Sequence, residues 1–266
     1  MPDTLPILDI LRKIVETKKI EVKDTRRNKK LFTGKIGGNP PPLDFKGAIS
    51  GEQLSVIAEI KKASPSAGII AQDFKPLQIA AAFRRAGANA VSVLTDKTYF
   101  KGSIGIISLV RKTLGNIPIL RKDFIIDESQ IYETRACKAD SFLLIAAILS
   151  GSQLAEFILL GRSLGMEPLV ECHDEEELEK SIGAGAQIVG VNNRNLRTFK
   201  VDLSISGRLI GKIPACLTAV AESGIKSPED SAYLHRLGFN AVLVGETIMR
   251  AGPENCGKII SEFKKS

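Results

Sequence analysis

Tryptophan is absent from the 266 residues, histidine occurs twice (His173, His235) and cysteine four times (Cys137, Cys172, Cys216, Cys256). Two histidines are too few for a histidine-rich metal site, so acid–base chemistry falls to Lys and Glu and no metal is expected. The cysteines stand 35, 44 and 40 positions apart. That spacing fits neither a zinc knuckle nor a dense disulfide framework, and reduced, mostly packed thiols are expected. Long apolar runs are also missing: no stretch approaches the ~18 residues of a membrane span. Met1 to Glu21 carries Asp3, Asp9, Lys13 and Glu16 among its apolar positions. It has no signal-peptide core, and a cytoplasmic protein is expected. The rest is ordinary globular composition, 44% hydrophobic and 25% charged, which excludes collagenous, low-complexity or wholly disordered chains.

The net charge of +7 is unevenly placed. Residues 1–46 hold eleven Lys/Arg against six acids, whereas the other 220 positions hold 26 against 24. A basic extension of this kind could bind nucleic acid. However, Phe32 is its only aromatic before Phe45, and acids are interleaved at helical spacing. A solvated helix face with weak attraction for anionic substrates is the better reading, with no nucleic-acid and no membrane partner.

Leu5, Leu8, Leu11, Ile14 and Val15 predict an amphipathic helix continuing towards Lys29. Gly34, Gly37, Gly38 and Pro40-Pro41-Pro42 then break regular structure. After about residue 50, apolar runs alternate with helical patterns. The runs are 55–60, 90–95, 118–121, 141–146, 168–171, 188–191, 217–221 and 241–244. Short continuous apolar runs suit strands of a parallel sheet buried on both faces. Helical segments over 76–86, 129–138, 152–164, 175–182 and 227–236 lie between them, with Gly87, Gly165, Gly183 and Gly238 at their stops. Eight units in about 215 residues give a repeat of about 27, the signature of a (β/α)₈ TIM barrel. A doubly wound sheet is the competitor, but nothing resembles a GxGxxG turn after the first strand. The expectation is one domain over 1–266, with an N-terminal helical extension over 1–46.

Chemistry in such barrels sits at the C-terminal rim. There the strands end Glu59-Ile60-Lys61, Arg121-Lys122-Asp123-Phe124, Val170-Glu171, Asn192-Asn193-Arg194, Glu222-Ser223-Gly224 and Gly245-Glu246. Two-residue alternation points Glu59 and Lys61 the same way. Two readings of the rim are open. One is a ring of salt bridges that merely closes the mouth. The other is a mixed-charge pocket in which Lys and Glu pKa values are pushed towards neutrality. Small-residue turns after the last two strands offer backbone N–H groups to a phosphate, with Glu246 pointing away.

The runs Glu59-Ile60-Lys61-Lys62-Ala63-Ser64-Pro65-Ser66, Tyr99-Phe100-Lys101-Gly102-Ser103 and Arg121-Lys122-Asp123-Phe124-Ile125 strongly resemble the indole-3-glycerol phosphate synthase family. So do Pro168-Leu169-Val170-Glu171, Gly190-Val191-Asn192-Asn193-Arg194-Asn195-Leu196 and Ala221-Glu222-Ser223-Gly224. The resemblance spans the chain, basic N-terminal helix included. It implies conversion of 1-(2-carboxyphenylamino)-1-deoxyribulose 5-phosphate to indole-3-glycerol phosphate, with release of CO₂ and water and no cofactor. A decarboxylating carbon–carbon lyase of tryptophan biosynthesis is therefore expected.

By this similarity Lys122 is the general acid at the substrate ketone, its proton affinity lowered by apolar surroundings. Glu171 is its acid–base partner. Lys61 holds the departing carboxylate or lies near the phosphate, while Glu59, Asn192 and Glu222 orient the lysines and the sugar hydroxyls. Ser64, Ser223, Gly224, Gly245 and Glu246 line the phosphate end. Phe124, with Leu143 and Leu243 if they face inward, packs on the anthranilate ring; simple rim packing remains open for Phe124. Arg194 either pairs with a rim glutamate or touches substrate. The basic helix covers part of the mouth. A phosphoribosyl isomerase barrel is the alternative, although such enzymes use an Asp or Cys pair where this sequence has Glu. The expected oligomeric state is monomer or weak homodimer.

Overall fold

Each expected run becomes a strand in the computed structural model, which describes residues 8–195 and 199–265. The eight barrel strands, numbered here in chain order apart from a short antiparallel pair over Ala63–Ser64 and Gly68–Ile69, are Ser55–Ile60, Ala90–Leu94, Ile119–Lys122, Ser141–Ile145, Leu169–Cys172, Ile188–Asn192, Thr218–Glu222 and Ala241–Val244. All neighbours are parallel, and the last pairs with the first from Ser55 opposite Ala241, closing the barrel. Closure removes the open edges that a doubly wound sheet would keep.

Helices α1 (Leu8–Arg27), α2 (Lys29–Ile36) and α3 (Phe45–Ile49) precede the first strand. The outer ring contains α4 (Pro76–Arg85), α5 (Gly105–Leu114), α6 (Glu128–Ala136), α7 (Gly151–Ser163), α8 (Glu175–Gly183), α9 (Ser204–Leu209), α10 (Pro228–Arg236) and α11 (Glu246–Lys264). Several helices start on side-chain caps. Asp127 with Gln130, Ser150 with Gln153, and Ser227 with Asp230 form reciprocal capping boxes. Among the described residues, no helix is long and apolar enough to cross a membrane.

Strand alternation splits the apolar residues into two layers. Val56, Ala58 and Ile60 face the helices, while Ile57, Leu120, Leu143, Leu169, Ile188, Val220 and Leu243 fill the barrel interior. Phe45 and Ile49 of α3 belong to this inner layer, both fully buried. They close the barrel at the end opposite the rim. Because the same alternation continues to the C-terminal ends, Glu59, Lys122, Glu171, Asn192 and Glu222 share the inward face with the apolar plug below them.

Several expectations need correction. Gly34 does not break the extension: α2 runs through it to Ile36, since one glycine costs a helix only about 1 kcal/mol relative to alanine. The stop expected at Gly183 holds, since α8 ends there, with Gly185 taking the left-handed conformation beyond it (φ 89°). Cys216 is exposed rather than packed. Asp3, Leu5 and Leu196 lie outside the described residues.

Candidate active site

The inward groups at the rim surround a cavity of about 800 Å³. Its lining includes Glu59, Lys61, Ser64, Lys122, Phe124, Glu171, Asn192, Arg194, Glu222, Ser223, Gly224, Leu243, Gly245 and Glu246. Every residue expected at the site from sequence therefore meets in one place. Leu143 also faces the cavity, and Ile10, Leu11 and Ile14 of α1 complete the wall as a partial cover.

The charged groups pair, yet they do so around open space. Lys122 Nζ donates to Glu171 Oε2 at 3.0 Å and lies 3.1 Å from Glu222 Oε2. Lys61 Nζ is 2.6 Å from Glu59 Oε1. A ring of salt bridges that only seals the mouth would leave no cavity of substrate size; here the ion pairs form its walls. Gly245 makes room for one of them, since a Cβ there would collide with the Glu59 carboxylate and the Lys61 ammonium. At Gly190, a Cβ would likewise strike the Glu222 carboxylate.

The pKa values depart from the sequence expectation in an informative way. Burial disfavours the charged form of Lys122, but Glu171, Glu222 and Glu59 outweigh it and hold the lysine above its ordinary value. The expected lowering therefore fails in this arrangement, because three carboxylates face one ammonium. Glu171 is also desolvated, but Lys122 and His173 keep its pKa well below the usual carboxylate range. Glu222 is the group poised near neutrality. Burial, aided by repulsion from Glu171 and Glu59, pushes it up to about 7 against the pull of Lys122. Among the described residues neither of its buried oxygens has an aligned hydrogen-bond donor, and Oε2 relies on the ion pair with Lys122 at 3.1 Å.

The turns after the last two strands both border the cavity. Ser223 (φ 64°) and Gly224 (φ 85°) form a left-handed turn, and Gly245 precedes the first residue of α11. Asn193 supports the turn, donating through Nδ2 to the carbonyls of Glu222 and Ser223. The Glu246 carboxylate accepts from Arg250 Nη2 at 2.8 Å, so it is occupied beside the helix start. Arg194 donates to the Phe199 carbonyl at 3.2 Å and stands 4.0 Å from Glu246. Asn192 Oδ1 accepts from the Arg194 N–H. Phe124 contacts Phe100, with ring centroids 6.0 Å apart, and still faces the cavity.

Two features were not legible beforehand. Ile14, Lys18 and Val22 form one buried stripe of α1, and Lys18 is among the most buried charges in the protein. Its Nζ reaches Asp123 Oδ1 (2.8 Å), Asp96 Oδ2 (3.0 Å) and Glu21 Oε2 (2.8 Å). The basic helix is thus more than a solvated face: one lysine ties it to the loops after the second and third strands. The second feature is His173, next to Glu171 in space and discounted by the residue count. Its only sequence signal is its place two residues beyond a rim glutamate. Among the described residues, no group of three or more His, Cys, Asp or Glu is arranged to hold a metal ion.

The indole-3-glycerol phosphate synthase family model matches residues 11–262. The chain belongs to the indole-3-glycerol phosphate synthase family. Relatives bearing that name include one from Acetivibrio thermocellus, 48% identical over 260 residues and covering 96% of this chain and 99% of its own. Another, from Chloroherpeton thalassium, is also 48% identical and covers 90% of this chain and 94% of its own. Among solved structures, one described as native KDPGal has a TM-score of 0.60 at 19% identity, covering 80% of this chain and 93% of its own. That likeness concerns the barrel fold alone. The family's reaction, a decarboxylating ring closure in tryptophan biosynthesis, is the one this barrel performs, on a phosphorylated small molecule. The isomerase alternative falls with it.

Proposed function

We propose that the cavity closes the indole ring with Lys122 as general acid and Glu171 as its acid–base partner. The observation that carries this reading is the 3.0 Å contact between their head groups at the bottom of the rim cavity. As the aromatic carbon bearing the carboxylate attacks the ketone, Lys122 delivers a proton to the developing alkoxide. Loss of CO₂ then restores the electron pair to the ring. Departure of the new hydroxyl as water requires a second proton, which Glu222 can supply near neutral pH, and ionised Glu171 accepts the neighbouring C–H proton to complete the indole. Glu222, near neutrality, is available in both protonation states beside the same lysine.

Lys61 and Glu59 lie on the Gly245 side, which supports Lys61 acting near the phosphate as well as at the departing carboxylate. Ser64, Ser223, Gly224, Gly245 and Glu246 form the phosphate end, with backbone N–H groups as donors. Asn192 and Glu222 orient the sugar chain. Phe124, Leu143 and Leu243 clamp the anthranilate ring, favouring ring closure through orientation. Arg194 contacts substrate while braced by Phe199.

The working unit is a single domain, monomeric or weakly dimeric, in the cytoplasm. The test is an assay of the purified protein on the carboxyphenylamino-deoxyribulose phosphate, following indole fluorescence. Absence of turnover with intact, bound substrate removes the reading.

A further inference from the structure

The fifth strand leaves the barrel as Glu171-Cys172-His173, and alternation returns the His173 side chain to the side of Glu171. Helix α8 begins immediately, capped by Asp174, and places Glu177 in its first turn. The Glu177 carboxylate grips His173 twice. Oε2 accepts the His173 backbone N–H at 2.9 Å and stands 2.9 Å from ring Nδ1. The opposite ring nitrogen, Nε2, is buried with no aligned hydrogen bond among the described residues, and lies 3.4 Å from Glu171 Oε1. The imidazole is therefore clamped between two carboxylates, one structural and one in the cavity.

We infer that His173 is a positioning residue for ring closure, holding Glu171 through Oε1 while Lys122 occupies Oε2. The inference rests on the role proposed for Glu171 and extends it. Lys122 cannot be the permanent partner of that carboxylate. When it gives its proton to the substrate it becomes neutral, and Glu171 loses the cation that orients it and keeps it ionised. His173 does not face the substrate and remains cationic through that step. Two carboxylates opposite two ring nitrogens require both nitrogens to carry protons. Burial opposes that charge, but Glu171 and Glu177 prevail and raise the imidazole pKa to about 10. The charged groups around the ring and its partners are Glu171, Glu177, Lys122 and Glu222, with Asp174 at the helix cap. Glu177 fixes the ring beside Glu171; in resting enzymes such contacts are commonly long or poorly aligned and tighten with substrate bound.

Three measurements test this in the full-length protein. His173→Gln should lower kcat about tenfold with KM within about twofold, a split that belongs to a contact used after substrate binding. Glu177→Gln, which keeps an acceptor for the backbone N–H, should give a smaller loss in the same direction. Proton NMR reads the ring without any turnover, and only one other histidine, His235, needs assigning. The His173 resonances should remain those of imidazolium through pH 8, and in Glu171→Gln the ring should titrate at lower pH. Unchanged kcat in His173→Gln overturns the inference, as does a fall in kcat that tracks a fall in Tm, or an imidazole titrating near 6.5. Failure of the wild-type protein to turn over substrate would instead count against the function itself, and the NMR result would stand apart from it.

Discussion

At the residue scale, the site is governed by how many opposite charges crowd each head group. Lys122 keeps its proton at rest because Glu171 and Glu222 lie within about 3 Å of it. In the proposed mechanism the substrate ketone must displace those contacts before the proton moves. Replacing Lys122 with Met should lower kcat on the order of 10²–10⁴-fold, the usual contribution of a general acid. Circular dichroism should show the barrel intact; a near-normal rate would reassign the acid. Glu222 gives a second prediction with a definite sign. Its pKa rises from 4.5 unfolded to about 7 folded, so the folded state binds the extra proton. Its favourable contribution is fully present below pH 4.5 and is lost as pH rises through 7. Relative to wild type, Glu222→Gln should therefore gain Tm progressively from pH 5 to pH 8 in calorimetric scans. A constant Tm gap across that range would contradict the assignment.

At the element scale, the question is what holds α1 over the cavity. Arg26 to Asp127 and Lys29 to Glu128 are solvent-accessible pairs that contribute little. Lys18 is different: it is enclosed by α1 and the loops after the second and third strands, facing Asp96 and Asp123. Asp123 also binds Arg121 and Thr95, and it directly follows Lys122. Removing the ammonium takes the buried cation from Asp96 and leaves Asp123 with Arg121 and Thr95 on its other oxygen. Lys18→Met should cost about 3–5 kcal/mol in denaturant unfolding, the range for breaking a buried pair from one side. It should also lower turnover, because the strand end bearing Lys122 loses its brace. A loss no larger than that of Arg26→Ala would show α1 to be held elsewhere.

At the scale of the whole molecule, the barrel separates stability from chemistry along its axis. Phe45 and Ile49 plug the floor, a full strand length from the rim carboxylates. Phe45→Ala should cost about 3–5 kcal/mol through lost burial and the cavity left behind. At temperatures well below its Tm, kcat should stay within about twofold of wild type. A variant that is stable yet inactive would mean that floor packing reaches the catalytic end. The aromatic plug comes from the stretch before the first strand, so the extension contributes to both ends of the barrel: α3 closes the floor and α1 covers the mouth.

The order and near-boundaries of the eight strands were legible because strands buried on both faces must be short apolar runs, as 55–60 and 241–244 are. Glu59, Lys122, Glu171, Asn192 and Glu222 are legible as polar ends of apolar strands and through the family resemblance, whereas alternation by itself links only Glu59 with Lys61; their shared inward direction is set by the closed barrel. What the chain could not reveal locally was proximity between distant segments. Lys18 reads as a solvated lysine until its partners 78 and 105 positions away are folded against it. His173 reads as an isolated histidine until the start of α8 turns Glu177 back onto it. The direction of the Lys122 shift was misjudged for the same reason: residue type sets the cost of burying a charge, but only the fold sets how many opposite charges are buried with it.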